Sequence, residues 1–200
     1  PYPRGVPEFY RDIRMSKEEK IQNFIENLER VNGYGFHVQG REKFLDVLEQ
    51  IIGRHEFKKA IGWKHPFLES LKIYSLLGKK GIDVHLWDPE KSPEDNVNAA
   101  KEADLGITFA DWAIANTGTV ALFASGIQGR SVSLLPPAYL VIFTPEQLVT
   151  RMGEMLEKCK TALPSSVNFI TGPSRSADIE MNLTLGVHGP KYVYAVIYEE

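Results

Sequence analysis

Cysteine is nearly absent from this sequence, since Cys159 is the only one among 200 residues. A disulfide within the chain is therefore excluded, and the composition suits a reduced compartment. One thiolate also falls short of the roughly four cysteine ligands that an iron–sulfur cluster takes. Cys159 lies on the apolar face of a predicted helix, which favours a small buried residue over a nucleophile.

Long apolar runs and a large excess of charge are missing too. No run approaches the roughly 20 apolar residues that a membrane span needs. The net charge of -3 gives no long-range attraction to nucleic acid or anionic lipid. Residues 1–3, Pro-Tyr-Pro, lack the charged and then apolar pattern of a signal peptide. We therefore expect a cytoplasmic protein with no nucleic-acid partner and no membrane span.

The common signatures of nucleotide and hydrolase sites do not occur. The sequence has no G-x-G-x-x-G, no G-x-x-x-x-G-K-[ST] and no G-x-S-x-G. Its five histidines, at positions 37, 55, 65, 85 and 188, show no spacing typical of metal ligands. We predict that this chain has no metal site, no cofactor and no redox centre of its own.

The pattern that is present alternates helices and strands. Residues 1–15 contain three prolines and predict an extended arm. Ser16 and Glu19 form a Ser-x-x-Glu capping box, and two amphipathic helices are predicted within residues 16–53. Strands are predicted at 60–63, 82–86, 105–109, 119–123, 167–171 and 192–198. This order predicts one α/β domain over residues 16–200, with a layered open sheet and flanking helices.

Two segments refine that prediction. Apolar runs at 131–135 and 139–143 are split by Pro136 and Pro137, which suggests an antiparallel pair and hence a mixed sheet. Residues 144–147, T-P-E-Q, form a strong helix start, with a cap, a proline at the first position and a glutamine at the third. We expect that helix to bury the apolar residues Leu148, Met152, Met155, Leu156 and Cys159.

Small and polar residues interrupt the predicted strands in several places. Residues 115–119, A-N-T-G-T, could aim threonine hydroxyls at a ligand or simply form a tight turn. Residues 171–180, T-G-P-S-R-S-A-D-I-E, could present backbone N–H groups and a guanidinium to an anion, or form a capped turn with a solvated Arg175. Residues 186–190, G-V-H-G-P, leave room around His188, although a lone histidine is often structural.

Ligands of open α/β sheets bind beyond the carboxyl ends of strands, so these segments predict a site for a small carboxylate or phosphate. No catalytic residue is assigned. The candidate ligand-binding residues are Asn116, Thr117, Gly118, Thr119, Arg130, Thr171, Gly172, Ser174, Arg175, Asp178, Glu180, His188 and Gly189.

The same segments, with residues 130–137, resemble the successive motifs of the lactate-utilisation (LUD) domain family over about residues 80–198. The resemblance implies a fold similar to the NagB/RpiA/CoA-transferase group. It also implies a part in oxidising L-lactate to pyruvate, alongside partner proteins that carry iron–sulfur clusters. Asn116 departs from the acidic residue expected before T-G-T in many relatives, so no acid–base role is predicted there.

Three hypotheses about function follow. In the leading one, the chain is a subunit or accessory protein of an iron–sulfur lactate-oxidising system and is not redox-competent alone. In the second, it is an independent enzyme on the same fold, of the isomerase, transferase or cyclo-ligase type, because a fold does not fix its chemistry. In the third, it is a non-catalytic module that binds a small anion or has a regulatory role.

Overall fold

The computed structural model describes residues 14–160, 164–177, 183–185 and 189–200. Its helices are α1 Lys17–Arg30, α2 Gly40–Gly53, α3 Pro66–Ser70, α4 Ile73–Lys79, α5 Pro93–Glu102, α6 Ser131–Leu134 and α7 Met152–Cys159. Its strands are β1 Tyr34–Gln39, β2 Lys59–Gly62, β3 Asp83–Leu86, β4 Leu105–Phe109, β5 Trp112–Ile114, β6 Thr119–Phe123, β7 Ala138–Phe143, β8 Leu148–Val149, β9 Val167–Ile170, β10 Arg175–Ala177, β11 Leu183–Leu185 and β12 Tyr192–Glu199. Short 3-10 helices span Ala115–Thr117 and Pro145–Gln147.

The main sheet has six strands in the order β1-β12-β7-β4-β2-β3, and every neighbouring pair is parallel. All six residues of β7 are buried, as expected for a parallel strand covered on both faces. Residues of α1, α5 and α6 pack on one face, and residues of α2, α3 and α4 pack on the other. The predicted layered α/β architecture is confirmed.

A second sheet follows the carboxyl end of β4. Its order is β8-β5-β6-β9, with β6 antiparallel to β5 and β9, and β8 parallel to β5. Helix α7 covers one face, where Met155 and Cys159 pack against Ile114 and Ala121. Cys159 is buried, as the apolar pattern predicts. The directions of the strands bring the ends of β5, β8 and β9 to the same edge as the start of β6.

We call this edge the threonine edge and define it as residues 115–119, 150–151 and 171–172. The β10–β11 hairpin begins just beyond it and pairs Arg175 with Leu185.

Two sequence predictions about local structure are wrong. Residues 131–134 form helix α6 instead of an antiparallel strand, and β7 pairs in parallel with β4 and β12. The helix is possible because Gly106 lets the Val132 carbonyl lie against β4, where a Cβ would be 1.9 Å from that oxygen. The Thr144–Gln147 capping box forms, but it starts only a 3-10 turn, because Leu148 and Val149 then pair with β5. Leu148 and Met155 are buried as predicted, whereas Met152 and Leu156 are exposed.

Other predictions are confirmed. The Ser16–Glu19 capping box opens α1. Strands β4 and β6 match their predicted limits, and the other predicted strands agree within one residue. Lys72, which has a positive φ of 53°, separates the short helices α3 and α4. In the described part of the chain, no helix has the length and apolar character needed to cross a membrane.

Candidate functional site at the threonine edge

A chain of hydroxyl groups runs along the threonine edge. The Oγ1 atoms of Thr117 and Thr119 are 2.8 Å apart, and those of Thr119 and Thr171 are 2.6 Å apart. Thr119, in the middle of this row of hydroxyl groups, is buried, whereas Thr117 and Thr171 at its two ends are exposed. Two motifs separated by about fifty residues in sequence therefore share one hydrogen-bonded row of hydroxyl groups. Each exposed hydroxyl retains lone pairs for a further contact.

The C-terminal end of α1 packs directly on this edge, because two glycines leave no side chain between them. Gly118 has φ 62°, and a Cβ there would lie 2.3 Å from the backbone nitrogen of Leu28. Gly172 has φ 70°, and a Cβ there would lie 2.6 Å from Val31 Cγ2. The Asn27 amide also donates to the Ala115 carbonyl, at 3.1 Å. Helix α1 is therefore one wall of the candidate site, which the sequence motifs alone do not indicate.

Arg175 joins the same wall. Its Nη2 atom donates to the carbonyl of Val31, the C-cap residue of α1, at 2.6 Å. The negative end of the helix dipole also stabilises a cation at this position. The side chain is otherwise exposed. Arg175 is thus held beside the hydroxyl row by a contact that leaves the rest of its guanidinium able to meet a ligand.

The T-G-P-S-R and G-V-H-G-P motifs also meet. The backbone N–H of Ser174 donates to the carbonyl of Pro190 at 2.9 Å, and a Cβ on Gly189 would lie 3.0 Å from that of Ser174. Asp178, Glu180 and His188 lie outside the described residues, so their roles remain predictions.

Arg130 and Asn116, two of the predicted ligand-binding residues, lie in surroundings that differ from those of the hydroxyl row. Arg130 follows a loop at the far end of β6, a strand that spans about 13 Å, so the fold separates it from the threonine edge. That loop packs on two tryptophans, with Trp63 donating to Gly129 O and Trp87 to Gly126 O. Asn116 is at the edge, where its backbone N–H donates to Thr150 O at 3.1 Å and its side chain is exposed.

Asp111 is a titratable residue that the sequence motifs do not single out. It lies between β4 and β5, at the carboxyl edge of the main sheet, and its Oδ2 accepts from the Phe123 N–H at 2.8 Å. Burial raises the pKa of its carboxyl, against the opposing effect of backbone hydrogen bonds. The folded chain therefore binds this proton more tightly than the unfolded chain does, and stability falls as pH rises from the ordinary pKa of about 4 through the raised value.

Asp111→Asn should consequently raise the melting temperature more at pH 7 than at pH 4, because the amide stays neutral and can still accept from Phe123. Thermal unfolding at both pH values measures this, with the exposed Asp83→Asn as the matched control. An equal shift at the two pH values would contradict the account.

A cavity of about 170 Å³ lies at the opposite, amino-terminal edge of the main sheet and is lined by residues that include His55, Asp104 and Tyr192. None of the candidate residues lines it. Among the described residues, no group of three histidine, cysteine, aspartate or glutamate side chains is arranged to hold a metal ion.

The comparisons with known proteins point to the same family as the sequence motifs. The sequence profile of the LUD domain matches residues 21–198. The chain is 39% identical over 164 residues to lactate utilization protein C of Geobacillus sp. (strain WCH70), covering 76% of this chain and 67% of that protein. It is 46% identical over 167 residues to lactate utilization protein C 1 of Bacillus mycoides, covering 80% and 71%. It is 34% identical over 204 residues to lactate utilization protein C of Oceanobacillus iheyensis, covering 98% and 87%.

The fold has a solved counterpart. A crystal structure of a DUF162 family protein from Deinococcus radiodurans superposes with a TM-score of 0.62 at 18% identity, covering 92% of this chain and 99% of that one. At this identity the likeness shows the fold alone. The profile match over most of the chain, together with relatives above 30% identity, confirms the predicted resemblance: this chain belongs to the LUD domain family.

Proposed function

We propose that this chain takes part in L-lactate utilisation by binding a small carboxylate at the threonine edge. The observation that carries the proposal is the row of Thr117, Thr119 and Thr171 hydroxyls, with Arg175 fixed beside it. A guanidinium suits a carboxylate, and hydroxyl groups suit the neighbouring oxygen of a 2-hydroxy or 2-oxo acid. The relatives named as lactate utilization proteins support this choice of ligand class.

The electrons of the reaction need an acceptor. Oxidation of L-lactate to pyruvate releases a pair of electrons and two protons, and the single cysteine of this chain cannot ligate an iron–sulfur cluster by itself. We propose that iron–sulfur partner proteins accept the electrons, and that this chain is a subunit or accessory protein of their system. In this proposal the chain works in the cytoplasm and carries no redox group of its own.

Two measurements on the purified chain test the proposal. Titration calorimetry should detect binding of L-lactate or pyruvate and much weaker binding of propionate, which has the carboxylate but lacks the second oxygen. A ligand at a hundred times its Kd should also stabilise the fold by about 2.7 kcal/mol. The isolated chain should be free of iron and should not oxidise lactate with an artificial acceptor, whereas addition of the iron–sulfur proteins of its native host should restore turnover.

The outcomes separate the three hypotheses about function. Steady lactate oxidation by the pure chain would overturn the subunit role. Binding of a sugar phosphate or a folate in preference to lactate would favour an independent enzyme. Binding of an anion that has no effect on turnover by the partner proteins would favour a regulatory module.

A further inference from the structure

Arg151 lies at the threonine edge, and one nitrogen of its guanidinium has no hydrogen-bond partner among the described residues. It follows Thr150, whose carbonyl accepts from the Asn116 N–H, so the fold places it next to the A-N-T-G-T motif. Its Nη1 atom is buried and has no hydrogen-bond partner in the described part of the chain. The carboxylate of Glu154, about one helical turn further along, instead accepts a hydrogen bond from the backbone N–H of Thr150 at 2.9 Å.

This arrangement is costly in the free protein. A buried N–H donor without an acceptor destabilises the folded state, and the penalty is larger when the group is charged. Arg151 also precedes the first residue of α7, where the helix dipole disfavours a cation. Local choices that oppose stability in this way are typical of functional positions. An anion at the edge would satisfy the buried donor and neutralise the charge.

The position of Arg151 fits the candidate site. The strands β8, β5, β6 and β9 are neighbours, and Arg151 leaves the edge after β8 while Thr171 leaves it after β9. The ends of these two strands are about 14 Å apart, which is three strand spacings. An arginine side chain that starts at the β8 end of this edge can therefore approach the same small ligand as the groups on the β9 side.

We infer that Arg151 is a second guanidinium of the anion site, opposite Arg175. The inference rests on the proposed function and deepens it, because it assigns two cations to one site. Arg175 is already hydrogen-bonded to Val31, whereas Arg151 Nη1 lacks an acceptor among the described residues. The site is therefore suited to a ligand with at least two negatively charged or strongly polar oxygen groups, such as a 2-oxo carboxylate or a phosphate.

Arg151→Met tests the assignment, because methionine keeps the length and removes the donors. We expect the affinity for pyruvate and for inorganic phosphate to fall at least tenfold. In the ligand-free protein, the free energy of unfolding should stay the same or rise, since an unsatisfied buried donor is lost. Arg41→Met is the matched control: that guanidinium donates to the Leu71 carbonyl at 3.2 Å and belongs to α2, on the other face of the main sheet. It should lower stability and leave affinity unchanged.

Arg151→Lys provides a second variant that keeps the charge, and its affinity should lie between those of the wild type and Arg151→Met. Unchanged affinity in Arg151→Met overturns the inference, and so does a loss of ligand-free stability as large as that of Arg41→Met. If Arg175→Ala weakens binding while Arg151→Met does not, this inference fails and the proposed function stands. If the wild type binds none of lactate, pyruvate and phosphate, both fail.

Discussion

Replacing Gly118 with alanine is expected to lower the free energy of unfolding by about 2–5 kcal/mol. Two costs add. A residue with a Cβ is strained at φ 62°, by about 1–2 kcal/mol. The new methyl group would also lie 2.3 Å from the backbone nitrogen of Leu28, and a helix backbone cannot turn aside as the end of a flexible side chain can. Overpacking of this kind typically costs about 1–3 kcal/mol.

Urea unfolding measures the effect, and Gly78→Ala is the matched control. Gly78 lies in helix α4 with open space where a Cβ would be, so its replacement should raise stability by about 0.5–1 kcal/mol. If α1 moves away in Gly118→Ala, the Val31 carbonyl moves with it, and binding of pyruvate should weaken too. A Gly118→Ala variant as stable as the wild type would show that α1 does not pack on this edge as described.

Arg175→Ala is expected to weaken binding of lactate or pyruvate roughly tenfold to a hundredfold. The reason is the loss of a charge-assisted hydrogen bond, which contributes about 1.5–3 kcal/mol net. The same change removes the contact with the Val31 carbonyl, so stability should also fall, by about 1 kcal/mol for one hydrogen bond of an exposed side chain. Titration calorimetry and urea unfolding on the same preparation measure both quantities.

Arg175→Lys separates the two roles. Lysine keeps the charge and one donor for Val31, so most of the stability should return, but it cannot make a bidentate contact with a carboxylate. Affinity should therefore recover only in part. If Arg175→Ala loses stability and keeps full affinity, then Arg175 serves only to cap α1, and the carboxylate is held elsewhere.

The sequence predicts the fold best where local signals decide the structure. The Ser16 capping box sets the start of α1, and the apolar run of β4 has the length of a buried strand. The sequence predicts the fold less well where a distant part of the chain decides the local structure. Residues 131–134 read equally well as a strand or a helix, because a short apolar run has no clear period, and only the small Gly106 beneath them makes room for a helix. Strand β1 is not predicted from the sequence, because its partner β12 is more than 150 residues away.

The candidate site, too, is only partly predictable from the sequence. The motifs indicated the threonines, the glycines and Arg175, because small and polar residues at strand ends are visible in the sequence. The fold alone shows that α1 forms a wall through Asn27 and Val31, and that Arg130 is at the other end of β6. Arg151 had no signal beyond its charge, since what distinguishes it is a buried nitrogen without a partner.

The strand order has a consequence for how the protein is made. Among the described strands, β12 is the last to leave the ribosome, yet it lies between β1 and β7 in the main sheet. Until it is synthesised, β1 lacks the neighbour that joins it to the sheet, and one edge of the apolar strand β7 is open. Pairings between segments that are far apart in sequence form slowly, and open apolar edges attract other chains. The nascent protein therefore has to protect β7 during translation, and the main sheet closes only after synthesis has passed residue 199.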